Sequence, residues 1–523
     1  MRFLWLFVLF IHNSVLLSKI LNYYSVVVKL YIMIKQILRR AFLIGLFLFF
    51  FGFCPIANAD TTGQRVSFIV EPQYSASGLN KTNAVLVKSG SGLYFYLEES
   101  FWNDKKDSEK NAILSVLDGL DAEYVSNIKP KLNSAFGTES TPGIDNDPKV
   151  TVLFYPLKGS ARGYVRNVDE YSRFTNPASN EREIVYLNID YLQSNYLKEF
   201  FTHEYMHLIT INQKELRQGG HSEDVWLSEA LSEYAVSYVG YNNKENSYLE
   251  NRINVFVNNP STSLTEWGND VSSYGMVSVF GNYLVEKYGI KVLTDALKSK
   301  KTGIDSINEA LLANGHKETF QKIFTDFSVA VFLNDCKISE KFCFKDATLK
   351  DMHVLTLNNF LPASGESNLF LGQSLSNYSA QWQKFIGGNG DIKFKFKGSP
   401  NGYSSIYYII KKPNDEVIVD YLRLSSVTKE GELVVKNMGK DVLSITFIPS
   451  IVTFSNTETS SKYYYSLSAS TFVSSPTVQT LPISIDKPLS SMSKDELINV
   501  LLRLLYYLIS QQQMKYTTST VVY

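Results

Sequence analysis

The segment His203-Glu204-Tyr205-Met206-His207 sets two imidazoles four residues apart with a carboxylate beside the first. Apolar residues recur at spacings of three and four around it, at Leu197, Phe200, Phe201, Met206 and Ile209, which predicts a helix. Two residues four apart on a helix lie about 40° from each other at about 3.6 residues per turn, so both rings point the same way. Both can reach one divalent metal ion, with bonds of about 2.1 Å. Glu204 sits beside the open coordination position. There a carboxylate can take a proton from a water that the ion polarises.

A third ligand is needed, and the run from Trp226 to Tyr234 offers two carboxylates. Glu229 and Glu233 fall on one face of a second predicted helix, among Leu227, Ala230, Leu231 and Tyr234. A carboxylate on an apolar face is costly to bury unless it is paired or metal-bound. Glu229 is therefore expected to ligate. Glu233, one turn on, is expected to accept the free ring N–H of a liganding histidine, His203 first, which fixes the tautomer. Two other readings stand beside this one: the roles of the glutamates exchanged, and Glu233 on a solvated face. His221, between the motifs, either meets substrate or is an ordinary loop histidine.

Taken together, the two motifs resemble the glutamate-type zincins, the clan of thermolysin and the leukotriene-hydrolase-like aminopeptidases. The nearest likeness is to the hyicolysin-like group of secreted bacterial zinc metallopeptidases. There an HE-aromatic-x-H motif precedes a Trp-Leu-x-Glu-Gly-Leu-Ser-like helix; here Ala230 stands where Gly is usual. The likeness continues through Ser273-Tyr274-Gly275 and residues 280–289, and more loosely back to 150–190. It implies one catalytic Zn2+ on His203, His207 and Glu229, with Glu204 as general base in peptide-bond hydrolysis. It also implies that Tyr274 donates a hydrogen bond to the developing oxyanion, against the plainer reading of a core or surface tyrosine. The aminopeptidase branch grips a free amino terminus with a Gly-x-Met-Glu-Asn-type strand. No such segment precedes His203, so an endopeptidase acting on proteins or peptides is expected. The alternative is an inactive zincin-fold surface binding or adhesin protein, against which the intact His-Glu-His-Glu set speaks. Metal storage would have no need of Glu204.

The elements that must position these residues fall into blocks, and the fold class expected is α+β. Over 60–190, short β-rich runs (Val66–Val70, Ala84–Val87, Leu93–Leu97, Val150–Phe154, Ile184–Leu187) flank a helical stretch from Ser108 to Leu132, with a break expected near Lys129-Pro130. This is read as the N-terminal part of a zincin-like catalytic domain. Residues 191–360 form its helical part, with patterns over 223–239, 273–288, 291–298, 303–313 and 317–333. Alternating runs over 361–475 predict a β-sandwich. Residues 476–523 hold a Ser/Pro linker and, after a capping box at Ser493, an amphipathic helix through Leu497, Val500, Leu501, Leu504 and Leu505. Gly143-Ile-Asp145-Asn-Asp147 resembles a calcium-loop fragment but lacks the Gly and distal Glu of an EF-hand, so a turn before Val150 is expected and calcium is unsupported.

Lys and Arg number 51, as do Asp and Glu. The balance gives no reason to expect a nucleic-acid partner. Yet residues 1–59 hold six bases and no acid, so the remainder is acidic, near −6. Within that leader, a basic stretch from Met33, a charge-free run Ala41–Phe53 and Ala57-Asn58-Ala59 form a signal-peptide pattern. Translation is expected to start at Met33. An uncleaved anchor is the alternative, and bulky Phe53 disfavours lipidation of Cys54. Export to the periplasm, cell surface or medium follows, with membrane contact only through the leader. Cys336 and Cys343 remain, an even pair that suggests one small-loop disulfide. Oligomeric state is not legible.

Overall fold

A computed structural model describes residues 19, 22–26, 29–42, 59–242, 246–363, 368–400, 402, 405–453, 462–471, 488–502 and 505. The chain divides into two units: residues 1–59 with Asp145–Asp147, and Asp60–Ile144 with Pro148–Tyr523. In the first unit, residues 22–26 and 29–42 are helical. Most of the expected apolar run, Cys54 and the expected cleavage site at 57–58 lie outside the described residues. Among the described residues, no helix is long and apolar enough to cross a membrane. Asp145 Oδ1 accepts the Asp147 N–H at 2.9 Å within a turn.

The second unit is α+β. Its first sheet has the order β1-β2-β3-β4-β6-β5. Strands β1 (Arg65–Ile69), β2 (Lys81–Ser89) and β3 (Leu93–Glu98) run antiparallel in sequence order; β3, β4 (Val150–Tyr155) and β6 (Ile184–Asn188) are parallel. The edge strand β5 (Gly163–Val165) returns antiparallel, with Gly163 opposite Leu187. Strands β4 and β6 are buried throughout, as a sheet covered on both faces requires. Leu153, Tyr155 and Tyr186 pack on one face, while Val152, Phe154, Val185 and Leu187 meet the helices on the other.

Between β3 and β4 lie α1 (Glu99–Asn103), α2 (Asp107–Glu123), a π turn (Tyr124–Ile128) and α3 (Lys129–Phe136). The interruption falls ahead of Pro130, which opens α3 in the first turn, where its missing N–H has no intrahelical partner to lose. The helical block follows: α4 (Leu197–Thr210), continued by a π segment (Ile211–Leu216), α5 (Val225–Val239), α6 (Tyr248–Asn258), α7 (Val271–Tyr288), α8 (Ile290–Leu297), α9 (Gly303–Ala313) and α10 (Phe320–Leu333). Helix α6 and strand β5 went unread in the sequence. The first has a polar run through its middle, and the second is three residues long.

The link from α4 to α5 is fixed by a buried charge. Lys214 donates to the carbonyls of Ala296, Ser299 and Lys301 and pairs with Glu223 at 2.9 Å; Glu223 also accepts the Gly303 N–H at 2.6 Å. Beyond α10, a disulfide joins Cys336 and Cys343, with Cα atoms 5.0 Å apart.

The C-terminal strands form two facing sheets, one in the order β13 (Glu430–Met438), β10 (Gly390–Gly398), β15 (Tyr463–Thr471), β8 (Asn368–Leu375), the other in the order β12 (Val417–Arg423), β11 (Ser405–Lys411), β14 (Ser444–Ile448), β9 (Gln383–Gly387), β7 (Leu357–Leu361). Phe385, Phe447, Phe394, Phe396 and Leu467 fill the space between them. The first of these strands, β7 (Leu357–Leu361), starts ahead of the expected boundary at 361 and pairs parallel with β9 (Gln383–Gly387). The sandwich also shares a core with the helices: Tyr378, Trp382 and Ile448 join the helical cluster, and Trp382 Nε1 donates to Ser328 O at 2.9 Å. The capping box at Ser493 closes reciprocally with Glu496, at 2.8 and 3.3 Å, before a helix over 494–502. That helix was expected to dock, but Ile498, Leu501 and Leu505 are exposed. Most of the Ser/Pro linker and residue 504 lie outside the described residues.

Candidate metal centre

Helix α4 lies in the core because nearly every side chain on it is buried, from Phe201, Tyr205 and Met206 to His203 and Glu204 themselves. Helix α5 packs beside it through Trp226, Leu227, Ala230 and Leu231. The pairing brings His203 Nε2 to 3.2 Å from His207 Nε2 and 3.1 Å from Glu229 Oε2, with His207 Nε2 3.6 Å from that same oxygen. Among the described residues, these three form the one group of His, Cys, Asp or Glu able to hold a metal ion.

The donor set fits a small divalent cation. Ligands on a tetrahedral ion with bonds of about 2.1 Å stand about 3.4 Å from one another. The three observed separations bracket that value. Glu229 Oε2 is buried, aimed at both rings, and makes no hydrogen bond. Such an atom carries a desolvation cost that a cation would offset. Burial pushes the Glu229 carboxyl up, but the two imidazoles outweigh it and hold it well below the usual carboxylate range. For His203, burial lowers the ring and Glu229, with the charges of Glu204 and Glu233, raises it on balance.

The outer layer differs between the two rings. His203 Nδ1 faces Glu233 Oε1 at 3.4 Å. His207 Nδ1 meets Ser228 Oγ at 3.0 Å. Glu233 is 1% exposed, so it is no solvated helix face. It lies behind His203 on the side away from Glu229, which leaves the exchanged-roles reading without geometry. Arg252 holds it with two hydrogen bonds, and Tyr248 donates to its Oε1 at 2.8 Å. Helix α6, which carries both partners, sits tight against α7. A Cβ on Gly275 would come 3.0 Å from Phe256 N and 3.1 Å from Arg252 O.

Glu204 is buried, and burial raises its carboxyl; the imidazoles of His203 and His207 oppose this, and Glu229 and Glu233 add to it. Its nearest wall is the edge strand. A Cβ on Gly163 would lie 2.9 Å from Glu204 Cγ and 2.8 Å from Tyr186 O. The Tyr274 ring lies 6.2 Å from that of His203, 4.9 Å from Trp267 and 4.8 Å from the Arg252 guanidinium. Burial raises the Tyr274 hydroxyl, and the charges of Glu229, Glu204 and Glu233 raise it further. The Tyr74 ring packs on Tyr164 at 5.0 Å, and burial, then the charges of Glu229, Glu71 and Glu204, raise its hydroxyl. His221 is exposed and no contact ties it to the centre.

Sequence reasoning missed Ser228, Arg252, Tyr248 and Gly163. Ser228 had a signal, since it directly precedes Glu229. The others reach the site only through the packing of α6 and the first sheet.

No family model matches the chain, and no curated protein matches it. Among solved structures, the pre-peptidase C-terminal domain of collagenase from Bacillus anthracis matches at 12% identity and a TM-score of 0.16, over 22% of this chain and 96% of that one. A periplasmic inhibitor of g-type lysozyme from Aeromonas hydrophila, PliG, matches at 10% identity and a TM-score of 0.15, over 22% and 98%. A GH115 4-O-methyl-alpha-glucuronidase, BtGH115A, matches at 9% and 0.13, over 62% and 51%. At these scores the likenesses carry no argument.

Proposed function

We propose that the protein is an exported zinc-dependent endopeptidase with a zincin-like catalytic domain. One observation carries the reading: His203, His207 and Glu229 converge on one point with Glu204 beside it, and the acceptor Glu229 Oε2 is buried without a hydrogen bond. Metal storage would not call for that neighbouring carboxylate. The acidic mature chain and the leader pattern of residues 33–59 support export.

A zinc ion held by His203 Nε2, His207 Nε2 and a Glu229 oxygen supplies Lewis acidity, making water a better acid and a carbonyl a better electrophile. Glu204 takes a proton from the attacking water on a carboxylate oxygen and delivers it to the leaving nitrogen as the C–N bond breaks. Its raised proton affinity suits it to both halves of that transfer. Ser228 holds the His207 ring by its Nδ1, and Glu233 faces the His203 Nδ1 at 3.4 Å, which suits both Nε2 atoms to point inward. Tyr274 offers its hydroxyl to the oxygen that gains negative charge.

The test is metal analysis of residues 60–523 with casein cleavage before and after chelation. About one zinc per chain and chelator-sensitive cleavage are expected. Glu204→Gln should retain zinc and lose cleavage by about a hundredfold or more. Normal cleavage by that variant would remove the reading.

A further inference from the structure

Strand β5 lies along helix α4 so that consecutive residues meet consecutive turns. The Arg162 guanidinium lies 5.1 Å above the Phe200 ring, and Gly163 abuts Glu204. Phe200 and Glu204 are four apart and share one helix face. Arg162 is thus placed one helical turn from the proposed base, along the sheet edge.

Arg162 is exposed, and its side chain meets no carboxylate among the described residues. Nearby arginines behave otherwise. Arg166 pairs with Glu71 and Asp169, Arg182 with Asp60, and Arg252 with Glu233. Arg162 is instead steadied by an aromatic face, which orients the planar fork and leaves its N–H donors unused. Phe200 is itself fixed by Tyr191 and Tyr248, at ring separations of 5.4 and 6.3 Å. The charge of Arg162 is felt as far as the Tyr248 hydroxyl, which burial raises and Arg252 and Arg162 lower. A guanidinium with a fixed plane and open donors matches a carboxylate two-pronged.

We propose that Arg162 determines specificity by binding a substrate carboxylate, an Asp or Glu side chain or a free C-terminal carboxylate, close to the bond that is cut. The proposal rests on the peptidase reading for what is cut, but the binding of an acidic peptide stands apart from cleavage. Glycine at 163 fits the same picture, since a side chain there would crowd the Glu204 Cγ, 2.9 Å from an added Cβ.

The test uses the zinc-loaded protein and matched fluorogenic peptides. One pair carries Glu or Gln next to the cleaved bond; another ends in a free carboxylate or an amide. The wild type should favour the acidic member of one pair by about tenfold or more in kcat/KM, mainly through KM. In Arg162→Gln that ratio should fall to about one, and Arg162→Lys should keep part of it. Whichever pair responds identifies the source of the carboxylate. An equal ratio in wild type and Arg162→Gln overturns the proposal. If the wild type cleaves nothing, the peptidase reading has failed, and fluorescence anisotropy of the same labelled peptides decides on Arg162 alone. Tighter binding of an acidic member that is lost in Arg162→Gln supports it, and no difference between the two proteins refutes it.

Discussion

Arg252 grips Glu233 through Nε at 2.9 Å and Nη2 at 2.6 Å, directly behind His203. The buried carboxylate is thereby held facing the His203 Nδ1 at 3.4 Å. The same guanidinium lies under the Tyr274 ring, so one residue braces both a ligand and the proposed oxyanion donor.

Arg252→Met should strip the buried Glu233 of its guanidinium partner and leave it only the Tyr248 hydroxyl. We expect a loss of about 3–5 kcal/mol in denaturant unfolding. Zinc affinity should weaken by about 10–100-fold in a competition titration. Wild-type affinity in a folded Arg252→Met protein would show that Glu233 does not orient His203.

Tyr274→Phe removes one hydroxyl and keeps the ring against Trp267 and Arg252. It should lower kcat by about 10²–10³ with zinc content unchanged. Steady-state kinetics on one peptide separates the roles. A change confined to KM would make Tyr274 a substrate contact rather than an oxyanion donor.

Gly163→Ala places a methyl group against Glu204 Cγ and the Tyr186 carbonyl, both inside 3.0 Å. The carbonyl belongs to the sheet and cannot swing away, so the carboxylate must move. A displacement of about 1 Å in a reacting group can cost about a hundredfold in rate. The expected result is a fall in kcat of that order with zinc retained. Unchanged kcat would mean that Glu204 acts from another position.

Zinc binding should depend on pH through His203. In the metal-free protein burial lowers this ring, but Glu229 and its neighbours raise it on balance. A protonated ring cannot ligate. Affinity should therefore be full above the raised value and fall by about tenfold per pH unit below it, as competition titrations would show. For folding of the metal-free protein the sign runs both ways. The raised His203 contributes stability at low pH that is lost as pH rises through its folded value. The lowered Glu229 contributes stability above the unfolded carboxylate value that is lost on acidification. The pair therefore stabilises most in the mildly acidic window between them. Metal-free protein whose stability is no higher in that window than at pH values above and below it would remove the His203–Glu229 ion pair.

The sequence by itself determined what local spacing can encode. Two histidines four apart on an apolar-periodic helix must share a face, and so must a pair of glutamates four apart on a second apolar helix. Strands β1–β4 and β6 of the first sheet, most helices and strands β9–β14 of the sandwich were legible for the same reason, because burial on one side prints a period of two or of 3.6 into the chain, whereas β7, β8 and β15 were not read. Tertiary structure alone decided which atoms meet. That Glu229 rather than Glu233 points at both Nε2 atoms follows from how α5 crosses α4, and Arg252, Tyr248, Gly163 and Arg162 come to the centre from elements whose own patterns say nothing about histidines. A three-residue edge strand is too short to show a period, and a helix with a polar middle hides one. Their places are set by close packing across the core, where residues distant in the chain are held together by burial rather than by sequence neighbours.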